Sequence, residues 1–179
     1  STAIPPLIFF MTETVAGLII GLALRLTVHA LQIAGSIAAQ ATSLSQIMGG
    51  ASPDPQPAMG AILMISGLTL AVMSGLHLHL AQRFVRSYDL LPMGTFPRPQ
   101  DLAGWGVGRV TASFELALSL AAPFLIASLL YNVALGIINK AMPQLMVAFV
   151  GAPAITWGGL FLLVVTAPLL LPIWLGAFS

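Results

Sequence analysis

Charged residues are scarce in this chain, and cysteine is missing altogether. Of its 179 residues, only 6% are charged and 58% are hydrophobic, whereas an ordinary globular domain has about 25% charged and about 45–50% apolar residues. So few charges cannot cover the surface of a soluble domain. Without cysteine the chain has no disulfide, no thiolate metal ligand and no thiol nucleophile.

The chain also lacks an excess of positive charge. Six Lys and Arg residues against five Asp and Glu residues give a formal net charge of +1, which is too small for a surface that holds nucleic-acid phosphates. We therefore expect no nucleic-acid partner. The chain begins at Ser1 without the basic start and small-residue cleavage site of a signal peptide, so we expect it to be N-terminally incomplete.

Four long apolar segments cover residues 7–41, 58–80, 110–138 and 145–177. Each reaches the roughly 20 residues that a helix needs to cross the hydrocarbon core of a bilayer. They are rich in Leu and Ala and lack the alternation of apolar and polar residues that is typical of transmembrane barrel strands. The sequence therefore predicts an all-α, multipass membrane-type fold.

Two polar linkers separate the first three segments and differ in charge. Residues 42–57 contain no Lys or Arg, whereas residues 81–109 contain Arg83, Arg86, Arg98 and Arg109. The positive-inside bias places the linker 81–109 on the cytoplasmic side and residues 42–57 on the opposite side. We predict a single domain over residues 1–179, with long helices in 1–109 and a C-terminal helical hairpin in 110–179. The short connection 139–143 joins the two helices of this hairpin.

Prolines interrupt the last two segments, at Pro123 in the third and at Pro153, Pro168 and Pro172 in the fourth. Each is expected to bend or break its helix. In hydrocarbon the freed carbonyl groups must find partners on neighbouring helices, side chains or water. Kinked helices of this kind suggest packing within a larger assembly.

Three ionisable residues, Glu13, Arg25 and Glu115, are candidates for buried charges in the apolar segments. Glu13 and Arg25 are twelve residues apart and cannot pair within one straight helix, whereas Arg25 and His29 share a face. Glu13 either belongs to a polar strip that faces a pore or partner subunit, or lies at the membrane interface near a helix end. Glu115 is expected near the start of the third helix, where the helix dipole favours an acid.

The histidines and the glycine-rich stretch of this chain do not form a recognisable metal, nucleotide or catalytic motif. His77 and His79 are two apart, which places them on different sides of a helix, so a shared metal ion is improbable. Gly104, Gly106 and Gly108 follow no apolar strand and lack the lysine of a phosphate-binding loop. With no Ser-His-Asp order, paired carboxylates or HExxH motif, we predict neither an enzyme nor a cofactor.

Two motifs give a sharper indication. The first, at the hairpin, contains Asn132, Leu135, Gly136, Asn139, Pro143 and Gln144. The second follows the second segment and contains Ser87, Leu91, Pro92 and Gly94. At these residues, and at Ala34, Gly35, Gly151 and Pro153, the chain resembles the FliR family, the flagellar members of the type III secretion export-apparatus proteins. The chain departs from the family at Lys140, where arginine is usual, at Ala152, where an aromatic residue is common, and at residues 75–77.

The resemblance implies a subunit of a helical, protein-conducting export gate that passes unfolded flagellar substrates and assembles with FliP-like, FliQ-like and FlhB-like subunits. It also implies a location in the bacterial inner membrane and flagellar basal body. In the family, the loop after the first long helix plugs the closed pore. That loop corresponds here to residues 43–57, with Ser43, Met48, Gly49, Gly50, Pro53, Asp54, Pro55 and Pro57.

Three alternatives remain open from the sequence. The loop 43–57 could be a plain solvated turn. The protein could be a small multipass transporter with a polar site near Glu13 and Arg25, or a structural subunit that makes no contact with a pore. The sequence does not separate a flagellar from a virulence secretion system.

Overall fold

The computed structural model describes residues 6–47, 58–90, 92, 94–142 and 147–178. These residues form five α-helices and no strand. The helices are α1 (Pro6–Ile47), α2 (Ala58–Met73), α3 (Leu76–Leu90), α4 (Pro99–Ala141) and α5 (Val147–Gly176). The predicted all-α fold is confirmed.

Three helices are long and apolar enough to cross a membrane, over Pro6–Thr42 in α1, Pro99–Ala141 in α4 and Pro153–Gly176 in α5. A fourth crossing would need Gly60–Met73 and Leu76–Asp89 together, but these two helices are bent by 71° at their junction. Three to four candidate spans agree with the multipass character predicted from the apolar segments.

The second predicted segment, residues 58–80, is not one helix. Gly75 ends α2 with a φ of 76°, and its amide donates to the carbonyl of Val72 at 3.0 Å. A positive φ suits glycine because a Cβ would strain the backbone there, and helices commonly end on such a residue.

Most of the basic linker predicted at residues 81–109 is helical. Residues 81–90 belong to α3, and α4 begins at Pro99, eleven residues before the third apolar segment. Pro99 is the first helical residue, where proline's missing amide hydrogen costs nothing, and Asp101 in the first turn favours the positive end of the helix dipole. The connection between these helices is confined to residues 91–98.

The prolines do not end any helix. Pro123 lies inside α4, and Pro153, Pro168 and Pro172 lie inside α5, and both helices continue through them. None of these four prolines therefore breaks its helix, and the predicted bends stay a prediction. Each proline removes one hydrogen bond from the helix interior, but a long apolar helix packed against neighbours can tolerate that loss.

The core lies where α1, α2, α4 and α5 meet, around Trp174. This side chain is fully buried, its indole N–H donates to the carbonyl of Thr27 at 2.7 Å, and its ring meets Phe178 edge to face at 4.9 Å. Opposite it lies Gly67 of α2, where a Cβ would come within 2.5 Å of Leu31 Cδ1 and 3.3 Å of the Trp174 ring. The missing side chain at position 67 makes room for both Leu31 and the indole.

α1 and α2 approach each other closely at small residues. A Cβ on Gly60 would lie in ordinary contact, 3.6 Å from the carbonyl oxygen of Gln32 and 3.8 Å from the Cα of Gly35. Ala34 and Ala38 of α1 are buried in the same core. By contrast, Gly17 and Gly21 near the start of α1 are exposed, and a Cβ on either would meet no atom within 4 Å.

Candidate functional site

A polar strip runs along α1 and reaches α2. Arg25 Nε donates to His29 Nε2 at 3.1 Å, and His29 Nδ1 lies 2.5 Å from Gln32 Oε1. Because His29 Nε2 accepts from the guanidinium, its Nδ1 carries the ring hydrogen and donates to the Gln32 amide oxygen. The Gln32 amide then donates to the Met64 sulfur at 2.9 Å. The shared face of Arg25 and His29 is confirmed, whereas Gln32 and Met64 were not anticipated.

This polar strip borders a cavity of about 410 Å³ between α1 and α2. The cavity is lined by Gln32, Ile33, Ser36, Ala39, Gly60, Ala61 and Met64. The small residues on both helices leave this space open. Its polar groups are an amide and a hydroxyl, which offer no charge to a ligand.

Glu13 has a partner in α3. Its carboxylate accepts a hydrogen bond from the Tyr88 hydroxyl at 2.9 Å, and the Glu13 side chain is half-buried. The two residues are 75 positions apart, so no local spacing in the sequence could indicate this pair. The hydrogen bond ties the charged end of α3 to the N-terminal half of α1.

Glu13 and Arg25 do not form one site. Twelve residues correspond to roughly 18 Å along a helix, and each side chain has its own partner. A solute site that uses both residues, as the transporter alternative requires, is therefore not assembled within this chain.

The chain by itself does not bury the three ionisable candidates, so their burial in a membrane or an assembly stays a prediction. Arg25 and Glu115 are exposed, and Glu13 is only half-buried. Glu115 also lies sixteen residues after the start of α4 at Pro99, too far from the helix N-terminus for the dipole to stabilise it. It sits instead beside the exposed side chains of Phe114 and Leu118.

The hairpin motif forms an exposed face of α4. Asn132, Gly136, Asn139 and Lys140 recur at the spacing of one helical face, and all four are exposed. A Cβ on Gly136 would meet no atom within 4 Å. We call these four residues the motif face. The remaining motif residues, Pro143 and Gln144, lie outside the described residues.

The neighbouring face of α4 packs against α5. The Tyr131 hydroxyl donates to the carbonyl of Gly151 at 2.5 Å. A Cβ on Gly151 would lie 2.8 Å from that hydroxyl and 3.5 Å from the Leu135 methyl groups. Gly151 leaves room for Tyr131, whose hydroxyl occupies the space that a side chain at position 151 would need.

The second motif ends in a tight turn. The Thr95 amide and hydroxyl both donate to the Pro92 carbonyl, at 3.2 and 2.6 Å, and Gly94 has a φ of 79°. A positive φ at the third position of such a turn requires glycine or asparagine. Ser87, at the start of the motif, donates to the Phe84 carbonyl at 2.7 Å near the end of α3. Leu91 lies outside the described residues.

The predicted plug loop starts later than expected. α1 continues through Ser43 to Ile47, so Ser43 is helical. The other predicted plug residues, Met48, Gly49, Gly50, Pro53, Asp54, Pro55 and Pro57, lie outside the described residues.

The described residues offer no candidate site for a metal ion or a nucleotide. There, no three His, Asp or Glu side chains lie close enough together to hold a metal ion. Gly104, Gly106 and Gly108 lie within α4 rather than in a loop. His77 and His79 are both exposed on α3.

Comparisons with known proteins agree on one family. The family model for bacterial export proteins, family 1, matches residues 1–179. The flagellar biosynthetic protein FliR of Caulobacter vibrioides is 33% identical over 164 residues, which cover 90% of this chain and 65% of that protein. The FliR proteins of Aquifex aeolicus and Escherichia coli are 29% and 28% identical, over 95% and 89% of this chain and 66% and 62% of theirs.

The chain thus spans slightly less than two thirds of the length of these relatives. No solved structure matches it at a significant level.

Proposed function

Since the chain belongs to the bacterial export proteins, family 1, we propose that it is a membrane subunit of the flagellar protein-export apparatus. The observation that carries the proposal is the match over residues 1–179, together with relatives named flagellar biosynthetic protein FliR. The described helices have the length and apolar composition that such a membrane location requires. The bacterial inner membrane, at the flagellar basal body, is the location that follows.

Partner subunits would cover part of the exposed apolar surface. Large side chains such as Phe10, Trp157 and Phe161 are more than 70% exposed on this chain, and exposed apolar surface of this extent marks contact with lipid or protein. The motif face combines an open glycine with two amides and a lysine. Small and hydrogen-bonding residues are those that pack helices together within membranes, so we assign the motif face to contact with FliP-like, FliQ-like or FlhB-like subunits.

The work of this subunit would be to line and close a channel for unfolded polypeptide, not to make or break covalent bonds. The residues suited to closing it are 48–57, which follow α1. Prolines 53, 55 and 57 oppose helix formation there, and the single charge, Asp54, limits binding of passing polypeptide. Driving energy would have to be supplied by other parts of the apparatus.

Deleting residues 50–54 from the full-length protein tests the plug. Gly60 of α2 lies against Gly35 of α1. Because a helix rises 1.5 Å per residue, the last residue of α1, Ile47, lies roughly 15 Å farther along the helix axis than the first residue of α2, Ala58. The five residues left in the linker can reach about 20 Å when extended, so the helices stay joined. We expect the deletion to admit small dyes that intact cells exclude.

The matched control replaces Asp54 with Ala and keeps the linker length. It should leave dye exclusion unchanged. If the deletion also leaves the membrane tight while the complex still assembles, residues 48–57 are not a plug.

A further inference from the structure

Two neighbouring cavities lie beside the end of α5, and residues of α3 line each of them. One has a volume of about 290 Å³ and the other about 460 Å³. Arg83, Arg86 and Phe178 line both cavities, and Arg109 and Trp105 line the smaller one. Three of the chain's six basic residues therefore converge on this space.

The charge around these cavities has one sign. No Asp or Glu is among the residues that line either cavity. Arg109 is positioned by Trp105, whose ring centre lies 5.7 Å from the guanidinium carbon, a distance typical of a cation–π contact. Arginine side chains bind phosphate through paired N–H groups in a fixed geometry. The positive lining of the cavities therefore favours an anion, and phosphate is an anion that arginine side chains bind well.

The wall beside the arginines is apolar. Ile20 and Leu24 of α1 and Leu80 of α3 line the smaller cavity together with Phe178. An inorganic ion would gain nothing from this surface, whereas an amphiphile could place its charge on the arginines and its hydrocarbon chain on these residues. The lining thus favours a lipid over a free anion.

Arg83 and Arg86 lie on α3, which turns away from α2 by 71°. Such a turn is expected of a helix that leaves the bilayer, and it places these two arginines beyond the apolar helix α2.

We propose that this arginine cavity binds the phosphate of an anionic phospholipid, with Arg86 and Arg109 as its ligands and an acyl chain along Ile20, Leu24 and Phe178. The positive-inside bias places this end of the bundle at the cytoplasmic leaflet, where anionic lipids collect and basic pockets between helices bind their headgroups. The proposal rests on the cavity and the membrane-type helices, and it stands independently of the export function.

The test measures lipid binding to the full-length protein in an uncharged detergent by native mass spectrometry. The probes are phosphatidylglycerol, phosphatidylcholine and inorganic phosphate. We expect phosphatidylglycerol to bind at least tenfold more tightly than either of the others. The variant Arg86→Gln/Arg109→Gln should weaken phosphatidylglycerol binding by at least roughly tenfold, because charged hydrogen bonds to phosphate are lost.

Arg98→Gln is the matched control, since Arg98 is exposed at the start of α4 and lines neither cavity. It should bind phosphatidylglycerol as the native protein does. Circular dichroism shows whether the double variant keeps its helices, and the single variants replace it if it does not. Equal binding of phosphatidylglycerol by the double variant and the native protein would overturn the site, and equally tight binding of inorganic phosphate would overturn its assignment to a lipid.

Discussion

Trp174 and Trp157 lie on the same helix but have opposite surroundings. Trp174 is 0% exposed and hydrogen-bonded to α1, whereas Trp157 is 74% exposed. Both residues lie in a helix that is apolar around its whole circumference, so the sequence could not indicate which tryptophan faces the core. The neighbours that decide it, Thr27 and Gly67, come from two other helices.

Replacing Trp174 with Ala should therefore destabilise the protein by about 3–5 kcal/mol, as expected for a large buried aromatic side chain. Trp174→Phe keeps most of the packing but loses the hydrogen bond to the Thr27 carbonyl, and should cost about 1 kcal/mol or somewhat more. Thermal unfolding of the full-length protein in detergent, followed by circular dichroism, measures both effects. Trp157→Ala should lie within about 0.5 kcal/mol of the native protein, and a larger loss there would contradict the assignment of the two environments.

Local polar pairs were predictable from the sequence, and distant ones were not. The Arg25–His29 pair follows from spacing along one helix, and the structure confirms it. The partners of Glu13 and Tyr131 lie 75 and 20 residues away, and their meeting depends on how the helices pack. Hydropathy locates a helix but not its inward face, so the sequence could not show that Glu115 and Arg25 point away from the core of this chain.

At the scale of the elements, apolar runs located the helices but misplaced their ends. α3 mixes Leu78, Phe84 and Val85 with arginines, so its charges made it look like a linker. Signals for the true start of α4 were present, namely proline at the first helical position and Asp101 in the first turn. Gly75 also marked the end of α2, but a single glycine within an apolar run does not require a helix end.

The α4–α5 hairpin depends on the contact between Tyr131 and Gly151. Gly151→Ala places a methyl group 2.8 Å from the Tyr131 hydroxyl and should destabilise the protein by about 1–3 kcal/mol. Tyr131→Phe should cost about 1 kcal/mol through the lost hydrogen bond. Because Phe lacks the colliding oxygen, Gly151→Ala should cost less in that background, and thermal unfolding of all four proteins measures this coupling.

The control for this cycle is Gly136→Ala on the exposed side of α4, where a Cβ meets no atom. It should stabilise the protein by about 0.5–1 kcal/mol, since alanine is the better helix former. Additive effects of the Tyr131 and Gly151 changes would show that their contact does not hold the hairpin.

For the whole molecule, composition indicated a membrane-type helical protein, and the motifs indicated the family, which the match over residues 1–179 confirms. Composition could not show what covers the exposed apolar side chains, because lipid and neighbouring helices are equally apolar. The packing distinguishes two sides of α4. Tyr131 faces α5, while the motif face has no neighbour within the described chain at Gly136.

If the motif face contacts a partner subunit, enlarging Gly136 should disturb assembly without disturbing the fold of this chain. Gly136→Leu adds a side chain where the chain itself leaves open space, but a closely packed neighbouring helix would have to move, at a cost of about 1–3 kcal/mol. We expect co-purification of the other export-gate subunits to fall by roughly tenfold, with unchanged thermal unfolding of the isolated protein. Gly104→Leu, equally open and exposed on α4 but outside the motif, should leave co-purification intact. Normal recovery of the complex with Gly136→Leu would mean that the motif face lies against lipid or solvent, and that the subunits meet on another side of the bundle.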